Sequence, residues 1–454
     1  MKSNLPKVLH KLGGKPLIEY PLHLAKSVNS ERILVVIGSQ SEMVRKAIEH
    51  RHGNAEFVLQ EPQRGTGHAL MQCLKHLAEH RGPVLVMSGD VPGLSGETLE
   101  GLLRSHVKEA ASLTVLTAVL EDPTGYGRIV RDGSGHPLSV VEQKDLQADQ
   151  EPIKEINAGV YVFDSAFLID ELPSLSDENV QGEFYLTDLV EAAGRTSRKI
   201  LTVQLAEPTE ARGINTLSEL AEVEKEMRDS ILRKLMENGV RIVDPSSTFV
   251  DDSVTIGSDA VIHPCTFIYG NTRIGSGTVV FPGAVITDSV VGKNAEIRPY
   301  SVIIEAEIAD GAAIGPFAHL RAGSVIGQKA RVGNFVEVKK SVLGEGTKVS
   351  HLTYVGDATL GREVNIGAGC VTCNYDGFAK HRTTIQDGVF VGSGTMMVAP
   401  VTLGTNCMVA AGSTITHDIP EDSLAIARAR QEIKKGWTVK WRKKMTQKSD
   451  GEGT

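Results

Sequence analysis

The chain has 454 residues, enough for two or three domains each with its own core, and combines 46 glycines with only 5% aromatic residues. Its net charge of −8 argues against a general nucleic-acid or anionic-membrane surface, since both select basic patches, but small anionic substrates need only a few local cations. No stretch reaches the roughly 18 uninterrupted apolar residues of a membrane span, and the opening MKSNLPKVLHKLGGK has no apolar leader core, so a cytoplasmic protein without membrane insertion is expected. Five cysteines, an odd number, fit a reducing compartment, and Cys370 and Cys373, a CxxC with no second pair and no βαβ context, read as packed thiols.

Up to about residue 215, β-rich apolar runs alternate with helical patterns. RILVVIG (32–38) precedes SEMVRKAIEH, EFVLQ precedes GHALMQCLKHLAEH, and PVLVMSGD precedes a helix from about Glu97. Further strands are expected at 113–120, 157–163 and 200–205. Such alternation predicts βαβ units and a mostly parallel sheet covered by helices. The run PVLVM, bounded by turn residues, reads as a strand buried on both faces of that sheet. Asp90 then stands at its carboxyl end, the edge where open α/β sheets bind ligands; from this stretch alone a turn-forming Asp before Val-Pro is the favoured reading. Between 216 and 238, Leu217, Leu220, Val223, Met227, Ile231 and Leu235 recur every three or four positions, an amphipathic helix suited to joining two domains.

From Ile256 aliphatic residues recur every six positions: 256, 262, 268, 274, 280 and 286, then with occasional five-residue steps to Ile366, and again from Ile385 to Ile415 after an interruption at NYDGFAKHRT. Neither a helix nor a half-buried strand has a six-residue period. The pattern predicts a parallel β-helix in which each hexad forms one face of a triangular coil and the aliphatic residue points to the axis. Side chains alternate along a strand, so Lys339 after Val338 and Arg321 after Leu320 must point outward. His351, two residues past inward Val349, falls at a corner.

With both halves in view, the chain resembles the bacterial bifunctional N-acetylglucosamine-1-phosphate uridylyltransferase and glucosamine-1-phosphate acetyltransferase family, through LPKVLH, QRGTGHA, SGDVP, DPTGYGRI, VGNFVEVKK, SHLTYVGD, NIGAG and CNYDG. The resemblance implies an α/β, Rossmann-like nucleotidyltransferase domain over 1–215, a linker helix over 216–244, a left-handed β-helix over 245–420 that forms a homotrimer, and a C-terminal tail over 421–454. Past Trp437, the charge and late Gly-Ser content of KWRKKMTQKSDGEGT predict disorder. The family also opens with a strand and a glycine-rich loop of the type LAAGxGTRM, and Met1 stands at that final Met. Either the true start lies upstream, or a truncation removes a central strand and weakens the first activity, leaving an acetyltransferase. A purely structural β-helical scaffold is the other reading open to hexad repeats.

Carried over residue by residue, the resemblance implies that Asp90 and Asn215 hold Mg²⁺ on the phosphates of UTP, with Lys7 contacting them. Gln60, Gly65 and Thr66 match uracil-side contacts at a helix start, and Gly127, Glu142 and Asn157 match sugar contacts. In the β-helix it implies His351 as the general base for acetyl transfer, a task suited to an imidazole ionising near ~6.5. Arg321, Lys339, Tyr354 and Asn365 would hold glucosamine-1-phosphate; Ala368, Asn374, Tyr375, Ser393, Ala411 and Arg428 would contact acetyl-CoA. Two local departures are Ala322, where the family usually has proline, and an extra arginine, Arg430.

Overall fold

A computed structural model of the chain describes residues 1, 3–38, 40–49, 51–53 and 55–449. His50, at the end of the SEMVRKAIEH pattern, and the last five residues of the tail lie outside the described residues. The chain divides into two compact units, Met1–Met227 and Arg228–Thr454, and the division falls within one helix, Leu217–Glu237.

The first unit is α/β, and its main sheet is mixed. Leu113–Val119 sits inside it, parallel to Ile200–Gln204 on one side and antiparallel to Glu155–Asp164 on the other. Every residue of LTVLTAV but the last is buried, as a strand covered on both faces requires. Buried Thr114 meets His106 of the covering helix Gly96–Glu109 at 2.8 Å. The long strand Glu155–Asp164 also pairs antiparallel with Pro83–Met87, so that Ile200–Gln204, Leu113–Val119 and Pro83–Met87 share one direction around a reversed strand. This corrects the reading of Pro83–Met87 as a strand buried in a parallel ladder: its partner is antiparallel and its residues are half-buried apart from exposed Pro83. Its other edge carries no ladder among the described residues, and Ile33–Ile37 pairs with Ala55–Leu59 alone in a separate two-stranded sheet.

The register between Leu113–Val119 and Glu155–Asp164 slips between Val115 and Thr117. Gly159, with φ +72°, takes up the slip in a conformation that costs a side-chain-bearing residue strain. A Cβ there would also lie 2.8 Å from Ser88 Oγ. The irregularity turns Asn157 toward the carboxyl end of Pro83–Met87, where the candidate site forms.

In the second unit the hexads build a left-handed parallel β-helix with one sheet of eleven strands, one of ten and one of nine, each forming one face. The aliphatic positions named from Ile256 to Ile415 are all buried. They stack in register: Ile262 on Val280, Ile297, Ile314, Val332, Val349 and Ile366, one per coil. Small residues turn the corners. Thr347 and Ser341, buried there, donate to backbone carbonyls of Gly361 and Lys339 at 2.7 and 2.8 Å. The ladder then steps from Ile366 to Val391, and the surplus chain leaves the coil as a loop around 374–381.

Two sequence expectations need correction. Leu217, placed on the apolar stripe of the joining helix, is exposed because it opens the helix; burial begins at Leu220. The tail is not irregular throughout: Trp437–Ser449 is a helix. WTVKWRKKMTQKS contains no Gly or Pro and is rich in straight-chain Lys, Arg, Met and Gln, which lose little freedom in a helix. Trp437 and Trp441, one turn apart, stack at 6.0 Å.

Candidate active sites

In the first unit the implied residues gather around the carboxyl end of Pro83–Met87. Ile214 N–H donates to Asp90 O at 3.1 Å, which brings the GIN segment alongside. Thr216 and Glu219 form a reciprocal cap on the helix Leu217–Glu237: Glu219 N–H donates to Thr216 Oγ1 at 3.1 Å, and Glu219 Oε2 accepts from Asn215 N–H at 2.6 Å. The cap fixes the backbone that carries Asn215. Lys7, held in a short turn by the Ile18 N–H to Val8 O bond, donates from Nζ to Asp90 Oδ2 and, at 2.7 Å, to Asn215 Oδ1. Two oxygens thus converge on one cation, the Lys7 ammonium.

Three links knit this triad to the remaining positions. Ser88 Oγ donates to Gly159 O at 3.3 Å, and Gly159 N–H to Asn157 Oδ1 at 3.0 Å, joining Asp90's turn to Asn157. Gly213 N–H donates to Tyr126 Oη at 3.2 Å, joining Asn215's segment to Gly127. Asn157 N–H donates to Gly127 O at 2.9 Å. Gly127 leaves room for Glu142, whose Oε2 would be 3.5 Å from a Cβ at 127. Glu142 is no solvated strand edge: burial raises its carboxyl pKa, opposed by the Thr187 hydroxyl, which donates to it at 3.1 Å. Next to Thr187, Leu186 N–H donates to Thr66 Oγ1 at 3.1 Å. Gly65, φ +99°, lies so close to Phe184 that a Cβ would fall 2.6 Å from its carbonyl oxygen. Gln60 is buried and directs Nε2 at Gly65 O and His68 Nδ1, at 3.0 and 3.1 Å.

The segment 184–187 that ties Thr66 to Glu142 has no local motif, and only the fold reveals it. Asp188, which follows it, is raised to about 6 by burial and by the charges of Glu191, Glu142 and Asp145.

In the second unit His351 is exposed at a corner, as its register requires. Successive coils repeat one bond: Leu352 N–H to Asn334 O, Gly369 N–H to His351 O, Gly394 N–H to Ala368 O and Gly412 N–H to Ser393 O. These bonds stack Asn334, His351, Ala368, Ser393 and Ala411 into one outer column. On the adjoining face Arg321 and Lys339 occupy neighbouring coils, since Leu320 pairs with Val338, and Tyr354 stands on the next coil, paired with Glu337. Arg321 is engaged with Glu337 at 2.8 Å. Asn365 continues the face of His351, paired with Lys348.

The 374–381 loop adds two groups. Asn374 Nδ2 donates to Asp357, and Lys380 lies beside Lys339, whose side-chain hydrogen bond and then charge lower the Lys380 pKa. Sequence reasoning treated this loop as an interruption and overlooked Lys380. Asn334 was overlooked as well, although it stands two residues past inward Val332 as His351 does past Val349, a relation the hexads already contained. Tyr375 is exposed, with Oη donating to Gly377 O at 2.7 Å. Arg428 is exposed beyond the last strand, Leu424–Ala425, and is not drawn into the column by any backbone bond of this series. Cys370 and Cys373 are free, and burial raises both thiols.

A sugar-nucleotide type α/β unit followed by hexad coils defines a two-part transferase. Residues 2–207 match the nucleotidyl transferase family, 245–334 the GMPPB C-terminal domain and 382–417 the bacterial transferase hexapeptide family. The chain is 45% identical to the "Bifunctional protein GlmU" of Pelobacter propionicus over 98% of its own length and 96% of that protein's. It is 46% identical to the protein of the same name from Geotalea uraniireducens over 97% and 96%. The chain therefore belongs to the GlmU family of bifunctional transferases.

Proposed function

We propose that the chain acetylates glucosamine-1-phosphate with acetyl-CoA and then couples the product to UTP, giving UDP-N-acetylglucosamine and pyrophosphate. The observation that carries this reading is the outer column that holds His351, together with a basic cluster of Arg321 and Lys339 on the adjoining face and Lys380 on the 374–381 loop. Two cations on neighbouring coils and a third on the 374–381 loop suit a sugar phosphate dianion. His351 takes a proton from the sugar amine as the amine nitrogen attacks the thioester carbon; the new C–N bond forms, the C–S bond breaks, and the proton held by His351 passes to the leaving sulfur, so that coenzyme A departs as the thiol. Ala368, Ser393 and Ala411, small along the column, leave its surface open for the length of coenzyme A, with Asn374, Tyr375 and Arg428 alongside.

In the first unit Gln60 commits its amide hydrogens to Gly65 and His68, which leaves Oε1 to accept the N3–H of uracil; cytosine offers only an acceptor there. Glu142, Gly127 and Asn157 hold the sugar. Asp90 and Asn215 fit Mg²⁺, because one carboxylate and one amide oxygen already converge on a cation and Mg²⁺ takes one or two protein oxygens and keeps its waters. When bound, the ion would neutralise charge on the triphosphate. Lys7 then turns to the phosphates. The enzyme works in the cytoplasm as a trimer built on the β-helix. No helix among the described residues is long and apolar enough to cross a membrane, and Tyr300, Phe317 and Phe335, stacked at 5.3 and 5.4 Å, leave an apolar ridge exposed on the coils.

With acetyl-CoA, glucosamine-1-phosphate, UTP and Mg²⁺ supplied together, thiol release and then pyrophosphate release are expected. Asp90→Ala should abolish the second and leave the first at the wild-type rate. A wild-type protein that releases no thiol overturns the proposal in favour of a scaffold.

A further inference from the structure

The strands Arg331–Asn334 and Lys348–His351 are paired as far as the corner, Asn334 opposite His351, whereas the neighbouring strands of that face, Ala313–Ile314 and Asn365–Ile366, stop after two residues. Gly333 makes the extension possible: a Cβ there would lie 1.9 Å from Ser350 O. Backbones this close put Asn334 Oδ1 2.7 Å from His351 Nδ1. An amide oxygen can only accept. Nδ1 must therefore carry the ring proton, and the unprotonated nitrogen is Nε2, directed away from Asn334.

We infer that Asn334 is a positioning residue: it fixes His351 in the tautomer whose free Nε2 can take the proton of an attacking amine. This rests on the reading of His351 as the base. Among the described residues the ring has no carboxylate partner, unlike the Asp-oriented histidine of a serine-protease triad. Among the described residues Asn334 is the side chain hydrogen-bonded to it, and the nearest charges on the paired strands are Arg331 and Lys348, three positions back. A neutral acceptor orients the ring without placing a charge beside it.

The test is steady-state acetyl transfer by the full-length protein and its Asn334→Ala, Asn334→Asp and His351→Ala variants, with pH profiles. Asn334→Ala should lower kcat roughly 10-fold, part of the about 10²–10⁴ that a general base supplies, with KM for the sugar phosphate unchanged. Asn334→Asp keeps an acceptor and should recover rate at high pH, while its acidic limb moves up by roughly one pH unit because a carboxylate favours the protonated ring. A merely structural Asn334 would lower rate at every pH without moving the limb. Unchanged kcat in Asn334→Ala, or an unmoved limb in Asn334→Asp, overturns the inference; if Asn334→Ala fails to fold, the Asp variant decides. Full activity in His351→Ala instead refutes the base assignment itself.

Discussion

Lys7 occupies the point that two oxygen ligands share, so its charge has a structural as well as a substrate-facing use. The pair with Asp90 is about one-third to one-quarter exposed, and such ion pairs contribute only about 0–1 kcal/mol. Lys7→Met should therefore leave the melting temperature nearly unchanged while cutting pyrophosphate release; both can be read on one preparation. Asp188 titrates in the opposite sense to a salt-bridged carboxylate. Its folded value of about 6 lies above the ~3.9 of an unfolded Asp, so between these pH values the folded state binds the extra proton and stability falls as pH rises. Asp188→Asn should stabilise the protein by roughly 1 kcal/mol at pH 7, discounted for partial exposure, and the gain should vanish below about pH 4. Denaturant midpoints at the two pH values check this. At this scale legibility was uneven. The outward direction of Lys339 and Arg321 followed from alternation, and that of His351 from its place at a corner of the coil. Asp90 stood out only through the resemblance, because a carboxylate after a strand serves a turn equally well. Lys380 reaches Lys339 through a loop whose path no local pattern specifies.

Among the elements, the strand pair ending at Asn334 and His351 leaves no room for a side chain at Gly333. Gly333→Ala must push a methyl group into the Ser350 carbonyl, and overpacking of this kind costs roughly 1–3 kcal/mol. A lowered unfolding midpoint together with reduced acetyl transfer is the expected outcome, measured by chemical denaturation and thiol release. The hexad period was readable because every inward position repeats the same demand for an aliphatic side chain, coil after coil. The α/β sheet was harder to read. The run PVLVM gives no sign of its partner's direction, and Glu155–Asp164 proves long enough to pair with two strands at once. The tail helix was missed because the glycines that suggested disorder follow it in sequence.

The molecule as a whole joins two units that share one helix but hold separate sites, the first knit around Asp90, the second along the column of His351. Exposed Tyr300, Phe317, Phe335 and Leu352 are costly in a single chain and suited to contact between copies. Light scattering on the eluting protein should give three chains per particle, and a monomer at micromolar concentration would contradict the proposed assembly. The hexads foretold the coiled architecture of the second unit, whereas its handedness came only with the resemblance, which also implies the chain number.

The most direct measurement is thiol release from acetyl-CoA by His351→Ala with glucosamine-1-phosphate as acceptor, beside a circular-dichroism spectrum showing the coils intact. A fall of about 10²–10⁴-fold in rate with the fold preserved is predicted. A folded variant that acetylates at the wild-type rate would contradict the account.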